Sequence, residues 1–322
     1  MTRSKTEPRR NVPASVKAQL LSLARTGAED FNSVLTRYVL ERFLYRLSIS
    51  PFADEFLLKG AILFTVWSQR PHRATKDIDL LGFGEPSPAR LVTSIREVCA
   101  TPVSADDGVR FDGDTVHAAP IREQAFYDGI RVTFTAHLGT ARIPVQVDVG
   151  FGDATSPSPE MVQLPTLLAH PAPRLRGYRR EVAIAEKLHA MVDLGLSNSR
   201  MKDYFDVWFL SLHFSFAGED LATAVRSTFE RRRAAVPAEL PMGLGVRFAD
   251  DPGKRTQWQA FIKRTRLAVE APSLPTVVES LAGFLGPVLM SLSTTGTFAG
   301  EWPFGGPWLD PGDGTRQQKP EQ

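Results

Sequence analysis

The chain has 322 residues, 43% of them hydrophobic and 23% charged, with 38 Lys and Arg against 36 Asp and Glu. That length buries a sizeable core and suits one large two-lobed domain or two modest ones, while a formal net charge of +2 confers no overall polyionic character. A single cysteine, Cys99, excludes an intramolecular disulfide and a zinc-type Cys cluster; it suits a reducing compartment and reads as an inert buried thiol.

The opening stretch, MTRSKTEPRRNVP, is charged with no apolar run behind it, so no secretory signal is expected. The longest apolar runs, LLKGAILFTVW and LAGFLGPVLMSL, read as too short or too interrupted to span a bilayer. A cytoplasmic protein without membrane contact is the expectation. No repeat of fixed period and no low-complexity block occurs.

Apolar residues at 31, 34, 35, 38, 39 and 43 follow the helical period over 31–47, behind Asp30 as a cap. Ser50-Pro51 breaks that pattern. EFLLKG then reads as a short strand running into Gly60, with AILFTVW starting a helix. DIDLLGF is a second strand, with Asp77, Asp79 and Leu81 on one face and Ile78 and Leu80 on the other. PARLVTSIREVCA has helical spacing with Pro88 near its start.

Residues 130–138 and 142–149 read as a hairpin turning at LGTAR. Its second arm places Ile143, Val145, Val147 and Val149 on one face and Gln146 and Asp148 on the other. Beyond TSPSPE the pattern becomes helical, over about 179–194, 201–213, 219–232, 256–268 and 274–291. From about residue 293 the chain is rich in Gly, Pro and Thr and is expected to be irregular, with Trp302, Phe304 and Trp308 as candidate anchors. The fold class is α/β (α+β): N-terminal helices over 1–50, a mixed-sheet core over 51–160, a helical lobe over 161–292 and a tail over 293–322, with the lobes joined near 153–165.

Two carboxylates at i and i+2 of a strand project from one face with Cα atoms about 6.5 Å apart. Unpaired, they repel each other. A divalent cation reverses the sign, because Mg²⁺ takes one or two carboxylates and keeps positions for water and substrate phosphate. If Asp148 lies on an adjacent strand with its polar face turned the same way, three carboxylates converge and can hold two ions. Such a pair supports in-line phosphoryl or nucleotidyl transfer. LKGA offers a phosphate cradle, since Gly60 lets the backbone approach an anion ahead of a helix N-terminus.

A glycine after a strand, D-x-D on the next strand and a lone Asp on a later one resemble the polymerase-beta-type nucleotidyltransferase superfamily. More narrowly, FLLKGAILF...RATKDIDLLG, VQVDVGFG and IAEKLHAMVDLG...RMKDYFDVWFL resemble, in order over about 30–213, the AbiEii/AbiGii toxin family of type IV toxin–antitoxin pairs. The resemblance implies that Asp77, Asp79 and Asp148 bind Mg²⁺, with two ions expected. It implies that Lys187 contacts the nucleoside triphosphate and that Asp206 is the acid of the last motif, a base or a Lys187-orienting group. Gly60, beside Lys59, would cradle phosphate with Arg73 and Thr75 in support. Gly60-Ala61 stands where the superfamily often has Gly-Ser or Gly-Gly, so a hydroxyl contact to phosphate is missing. The family further implies transfer of an NMP from an NTP, tRNA 3′ ends as an acceptor type, and a partner antitoxin.

Each residue also has a plainer reading. D-x-D is often a strand end with solvated acids, Asp148 a turn former, and Lys187 a snorkelling helix lysine. Asp203 reads as a complement to its helix dipole, whereas Asp206, among Tyr204, Phe205, Val207 and Trp208, needs a partner such as Lys187. ERRRAA at 230–235 and KRTQWQAFIKRTR at 254–266 read as solvated helix faces or as a phosphate track for RNA. The expected enzyme is an Mg²⁺-dependent nucleotidyltransferase using an NTP and an RNA acceptor. A small-molecule (aminoglycoside-like) or protein-hydroxyl acceptor, or an idle nucleotide or RNA binder, are its rivals.

Overall fold

The computed structural model describes residues 11–68, 75–121, 129–265, 267 and 270–311. Asn11 accepts the Ala14 N–H at 3.2 Å and Pro13 sits in the first turn, which starts α1 (Val12–Thr26). Asp30 does the same for α2 (Phe31–Ile49), accepting from Ser33 N at 2.8 Å as its sequence position suggests. A short strand, β1 (Phe56–Lys59), ends at Gly60. The helix expected after it is a single 3₁₀ turn over 61–63 followed by the one-turn α3 (Phe64–Trp67).

The second strand is β2 (Ile78–Gly82), and Ser87 caps α4 (Pro88–Ala100). Next come β3 (Val109–Pro120), β4 (Ile130–Leu138) and β5 (Ala141–Phe151). The hairpin of β4 and β5 turns at Gly139, whose φ of +61° suits glycine. Two four-residue strands follow, β6 (Glu160–Gln163) and β7 (Arg174–Gly177). The sheet order is β3-β4-β5-β2-β1-β7-β6, with β2 and β5 parallel and the pairs β1/β2, β3/β4 and β4/β5 antiparallel.

One face of this sheet is apolar. Val132, Phe134 and Ala136 of β4 and Val145, Val147 and Val149 of β5 are buried, and α2 and α4 pack on that side. Phe43 of α2 meets Phe111 and Phe134 at ring separations of 5.7 and 5.0 Å. A buried ion pair, Arg46 to Asp107 at 2.7 and 3.0 Å, fixes the loop before β3, and the Tyr38 hydroxyl donates to the Asp107 carbonyl at 2.7 Å. Glu41 accepts from Leu167 N at 2.7 Å and Arg42 donates to Pro171 O at 2.8 Å, binding the segment between β6 and β7 to α2.

Contacts divide the described residues into two units, one within 11–68, 75–151 and 161–176 and the other within 152–160 and 177–311. Residues 161–176, expected at the start of the helical lobe, therefore belong with the sheet, because β6 and β7 are too short to show an alternation in sequence.

The second unit is helical. It contains α5 (Arg180–Leu194), α6 (Met201–His213), β8 (Phe216–Ala217), α7 (Gly218–Arg231), α8 (Val246–Asp250), α9 (Pro252–Arg264), α10 (Leu274–Thr294) and β9 (Glu301–Trp302). The start of α9 precedes the expected residue 256, since Asp251 accepts from Lys254 N at 2.9 Å with Pro252 at the first helical position. The apolar run read as interrupted lies in one unbroken helix, α10, continuing through Pro287. By length and composition that helix could cross a membrane, but Val277, Val278, Leu281, Phe284, Leu285, Val288 and Leu289 are buried in the protein, as in a core helix. The tail is partly ordered. β9 pairs with β8, Trp302 Nε1 donates to Ser211 O at 2.7 Å and Trp308 Nε1 to Phe284 O at 2.8 Å, whereas Phe304 is 72% exposed and anchors nothing.

Candidate active site

The sheet register lines up four charged residues on neighbouring strands. Lys59 of β1 pairs with Asp79 of β2, Asp79 with Asp148 of β5, and Asp148 with Arg131 of β4. Residues directly opposite each other in a sheet point to the same face. The row therefore reads cation, acid, acid, cation, on the face opposite the one covered by α2 and α4. Asp148 stands beside Asp79, which is the adjacency the metal reading required of it.

Gly60 completes the centre of this row. Its backbone sits at φ +74° and ψ −161°, a region open essentially to glycine alone. A Cβ there would run into the Asp79 side chain, 2.6 Å from its Cγ and 2.7 Å from its Cβ. The glycine is thus required twice, by its own dihedral and by the carboxylate pressed against it. Asp77 immediately precedes β2, and the Thr75 hydroxyl donates to both its carbonyl and its Oδ1 at 3.2 Å.

Asp148 is gripped by a residue that sequence reasoning overlooked. Arg131 donates through Nε to Oδ1 and through Nη2 to Oδ2, both at 2.9 Å, and Gln146 adds a 3.2 Å bond to Oδ2. A bidentate fork of this kind fixes the plane of a carboxylate. The signal was present: a hairpin turning at Gly139-Thr140 with Leu138 opposite Ala141 necessarily sets Arg131 opposite Asp148.

Among the described residues, no three His, Cys, Asp or Glu side chains form a ready-made metal cluster. Two adjacent carboxylates nevertheless suit Mg²⁺, which takes one or two protein carboxylates and fills its remaining positions with water and substrate phosphate.

The second unit holds the other predicted group. Lys187 of α5 places its Nζ 2.5 Å from Asp203 Oδ1 and 2.9 Å from Asp206 Oδ2 on α6. Asp206 is fully buried and Asp203 nearly so, so each needs the cation. Asp203 is therefore a lysine partner in addition to any service to the helix dipole. Arg73 lies outside the described residues.

In the basic runs at 230–235 and 254–266, Arg231, Arg233, Arg255, Lys263 and Arg264 are exposed, as solvated faces would be, while Arg232 and Lys254 turn inward. Arg231 donates to Gly152 O, and Arg232 pairs with Asp153 at 3.4 Å, where burial pushes its guanidinium down to about 10. Lys254 is buried and donates to Asn198 O at 2.9 Å.

The family described as "Nucleotidyl transferase AbiEii toxin, Type IV TA system" matches residues 42–280, most of the chain. Solved structures similar to it include JHP933 from Helicobacter pylori, at 15% identity and a TM-score of 0.47 over 82% of this chain and 94% of that one. A candidate nucleotidyltransferase from H. pylori is similar at 15% identity and a TM-score of 0.46, over 83% of this chain and 98% of the other. No curated protein matches. With the family matched across most of its length, the chain belongs to the AbiEii toxins of type IV toxin–antitoxin systems and is a nucleotidyltransferase.

Proposed function

We propose that this enzyme moves an NMP from an NTP to the 3′ end of an RNA, with tRNA as the acceptor, in an Mg²⁺-dependent reaction. The observation that carries the reading is the row Lys59, Asp79, Asp148, Arg131 with Gly60 closed against Asp79. We assign the adjacent Asp79 and Asp148 to the metal, with Asp77, which forms no ready-made cluster with them, as the third acid that the family resemblance implies. Bound there, Mg²⁺ would neutralise phosphate charge and make the acceptor hydroxyl easier to ionise. The protein's own residues divide the remaining work. Gly60 and Lys59 receive the triphosphate, Thr75 holds Asp77, and Arg131 with Gln146 orients Asp148. We assign Lys187 to triphosphate recognition, with Asp203 and Asp206 fixing its ammonium.

The acceptor hydroxyl attacks the α-phosphorus and gives its proton to Asp148, while the bond to the β-phosphate breaks and pyrophosphate leaves. The family also implies a cognate antitoxin. Incubating the protein with α-labelled NTPs, Mg²⁺ and total tRNA should label the RNA. Asp79→Ala should abolish the label, and labelling that survived it would remove the site assignment.

A further inference from the structure

Of the basic runs that sequence alone offered as an RNA track, Arg232 and Lys254 are engaged within the protein, whereas Arg231, Arg233, Arg255, Lys263 and Arg264 are exposed. Wherever the rest of an acceptor lies, its reacting end must come beside the acid pair, and the sheet face that carries Asp148 offers a place. A groove of about 360 Å³ is lined by Lys76, Thr115, Thr133, Thr135, Pro144 and Gln146. Thr133 pairs with Gln146 and Thr135 with Pro144, two and four residues along from the Arg131 and Asp148 pair. By the two-residue period of a strand, these side chains share the face of Asp148. Contact is direct, since Gln146 donates to Asp148 Oδ2 at 3.2 Å.

The groove's wall is built, and its lining mixes polar side chains with Phe134, Pro144 and Val145. A bulge in β3 lets the Thr115 hydroxyl accept from Thr135 N at 2.9 Å while it donates to Asp112 O at 2.7 Å. Among the described residues that line it, none is acidic. Lys76 is exposed at the edge of β2, and the hydroxyls of Thr133 and Thr135 make no hydrogen bond within the protein among the described residues.

We propose that this groove seats the acceptor strand, as the sugar–phosphate backbone of the last nucleotides of a single-stranded RNA 3′ end. A backbone phosphate meets Lys76, and ribose hydroxyls meet Thr133, Thr135 and Gln146. The inference rests on the nucleotidyl transfer reading above and adds the place and chemistry of its second substrate.

Two arguments select this occupant. In-line displacement needs the attacking oxygen and the departing pyrophosphate on opposite sides of the phosphorus. The strand order β4-β5-β2-β1 sets the Gly60 turn on one side of the acid pair and the groove on the other. Charge decides the rest. A cationic amino sugar would seek carboxylates and be repelled by Lys76, whereas RNA brings a negative charge at each nucleotide and a 2′-hydroxyl that both donates and accepts. In the transfer, the terminal 3′-hydroxyl loses its proton and bonds the α-phosphorus, and pyrophosphate departs.

The full-length protein is tested by fluorescence anisotropy with a 5′-labelled single-stranded oligoribonucleotide and with DNA of the same sequence. Lys76→Glu and Thr133→Tyr, both exposed positions, should weaken RNA binding at least about tenfold. Thr135→Val should erase most of the preference for RNA over DNA. In the labelling assay the first two should raise the KM for total tRNA at least tenfold and leave the KM for NTP within about twofold. RNA affinity and KM unchanged in these variants, with wild-type transfer intact, would overturn the groove and leave the nucleotidyl transfer reading standing. Groove-dependent RNA binding without any transfer would remove that reading instead. Wild-type protein that binds no RNA, or that labels an aminoglycoside in its place, would overturn the inference outright.

Discussion

Replacing Gly60 by alanine tests the tightest contact in the site. The alanine must hold φ near +74° and ψ near −161°, which costs a residue with a Cβ about 1–3 kcal/mol. In a chain of this size that strain lowers the Tm by roughly 2–4 °C per kcal/mol. The new Cβ also collides with Asp79. It would fall closest to an Asp79 carboxylate oxygen, nearer still than the 2.6 Å to Cγ, where ordinary contact begins at 3.4 Å, so the carboxylate must retreat by more than about 1 Å. A displacement of that order at a reacting centre costs about a hundredfold in rate. Single-turnover labelling of RNA beside thermal unfolding separates the two effects. Asp79→Gly in the Gly60→Ala background should recover the part of the stability lost to the collision, because it removes the atoms struck, while activity stays absent. A Gly60→Ala protein with wild-type Tm and activity within about threefold would refute the reasoning.

Lys187→Met withdraws the cation shared by Asp203 and buried Asp206 and should destabilise the protein by about 3–5 kcal/mol, and adding Asp206→Leu should restore much of that; denaturant unfolding reads both. Arg131 is 40% exposed, so Arg131→Gln should cost only about 0–1 kcal/mol of stability, yet it removes the fork from Asp148, leaving Oδ1 without that donor and Oδ2 with Gln146, and should lower the Mg²⁺ concentration that half-saturates binding of a non-hydrolysable NTP, measured by calorimetry. Burial holds the His189 pKa below its usual 6.5, so below that pH the unfolded chain takes up a proton the folded protein resists. Stability attributable to His189 is therefore complete above pH 6.5 and lost as pH falls below it. His189→Gln should flatten the decline in unfolding free energy between pH 7 and 5, and an unchanged slope would exclude this histidine as a source.

Much of the site was legible because its signals are local. D-x-D on a strand, glycine at a strand end and the hairpin arm carrying Asp148 each follow from a period or a turn residue within about ten positions. The same periodicity assigned Asp77, Asp79 and Asp148 to polar faces. β3 was missed because Asp112, Gly113 and Asp114 fall at a bulge that breaks its alternation, and β6 and β7 because four residues carry too little pattern. The basic helix faces are solvated at Arg231, Arg233, Arg255, Lys263 and Arg264, but charge alone does not reveal that Arg232 has Asp153, or Lys254 the Asn198 carbonyl, waiting for it.

Read alone, the chain's order of residues determined which side chains share a strand face, where helices are capped and which glycine ends β1, since each depends on neighbours a few bonds away. Only the tertiary structure decided that β5 lies parallel beside β2, so that Asp79 and Asp148 stand next to each other, and that α6 brings two acids to Lys187. Strand order and helix packing are settled by how the whole apolar surface is buried at once. No local stretch of sequence carries that balance.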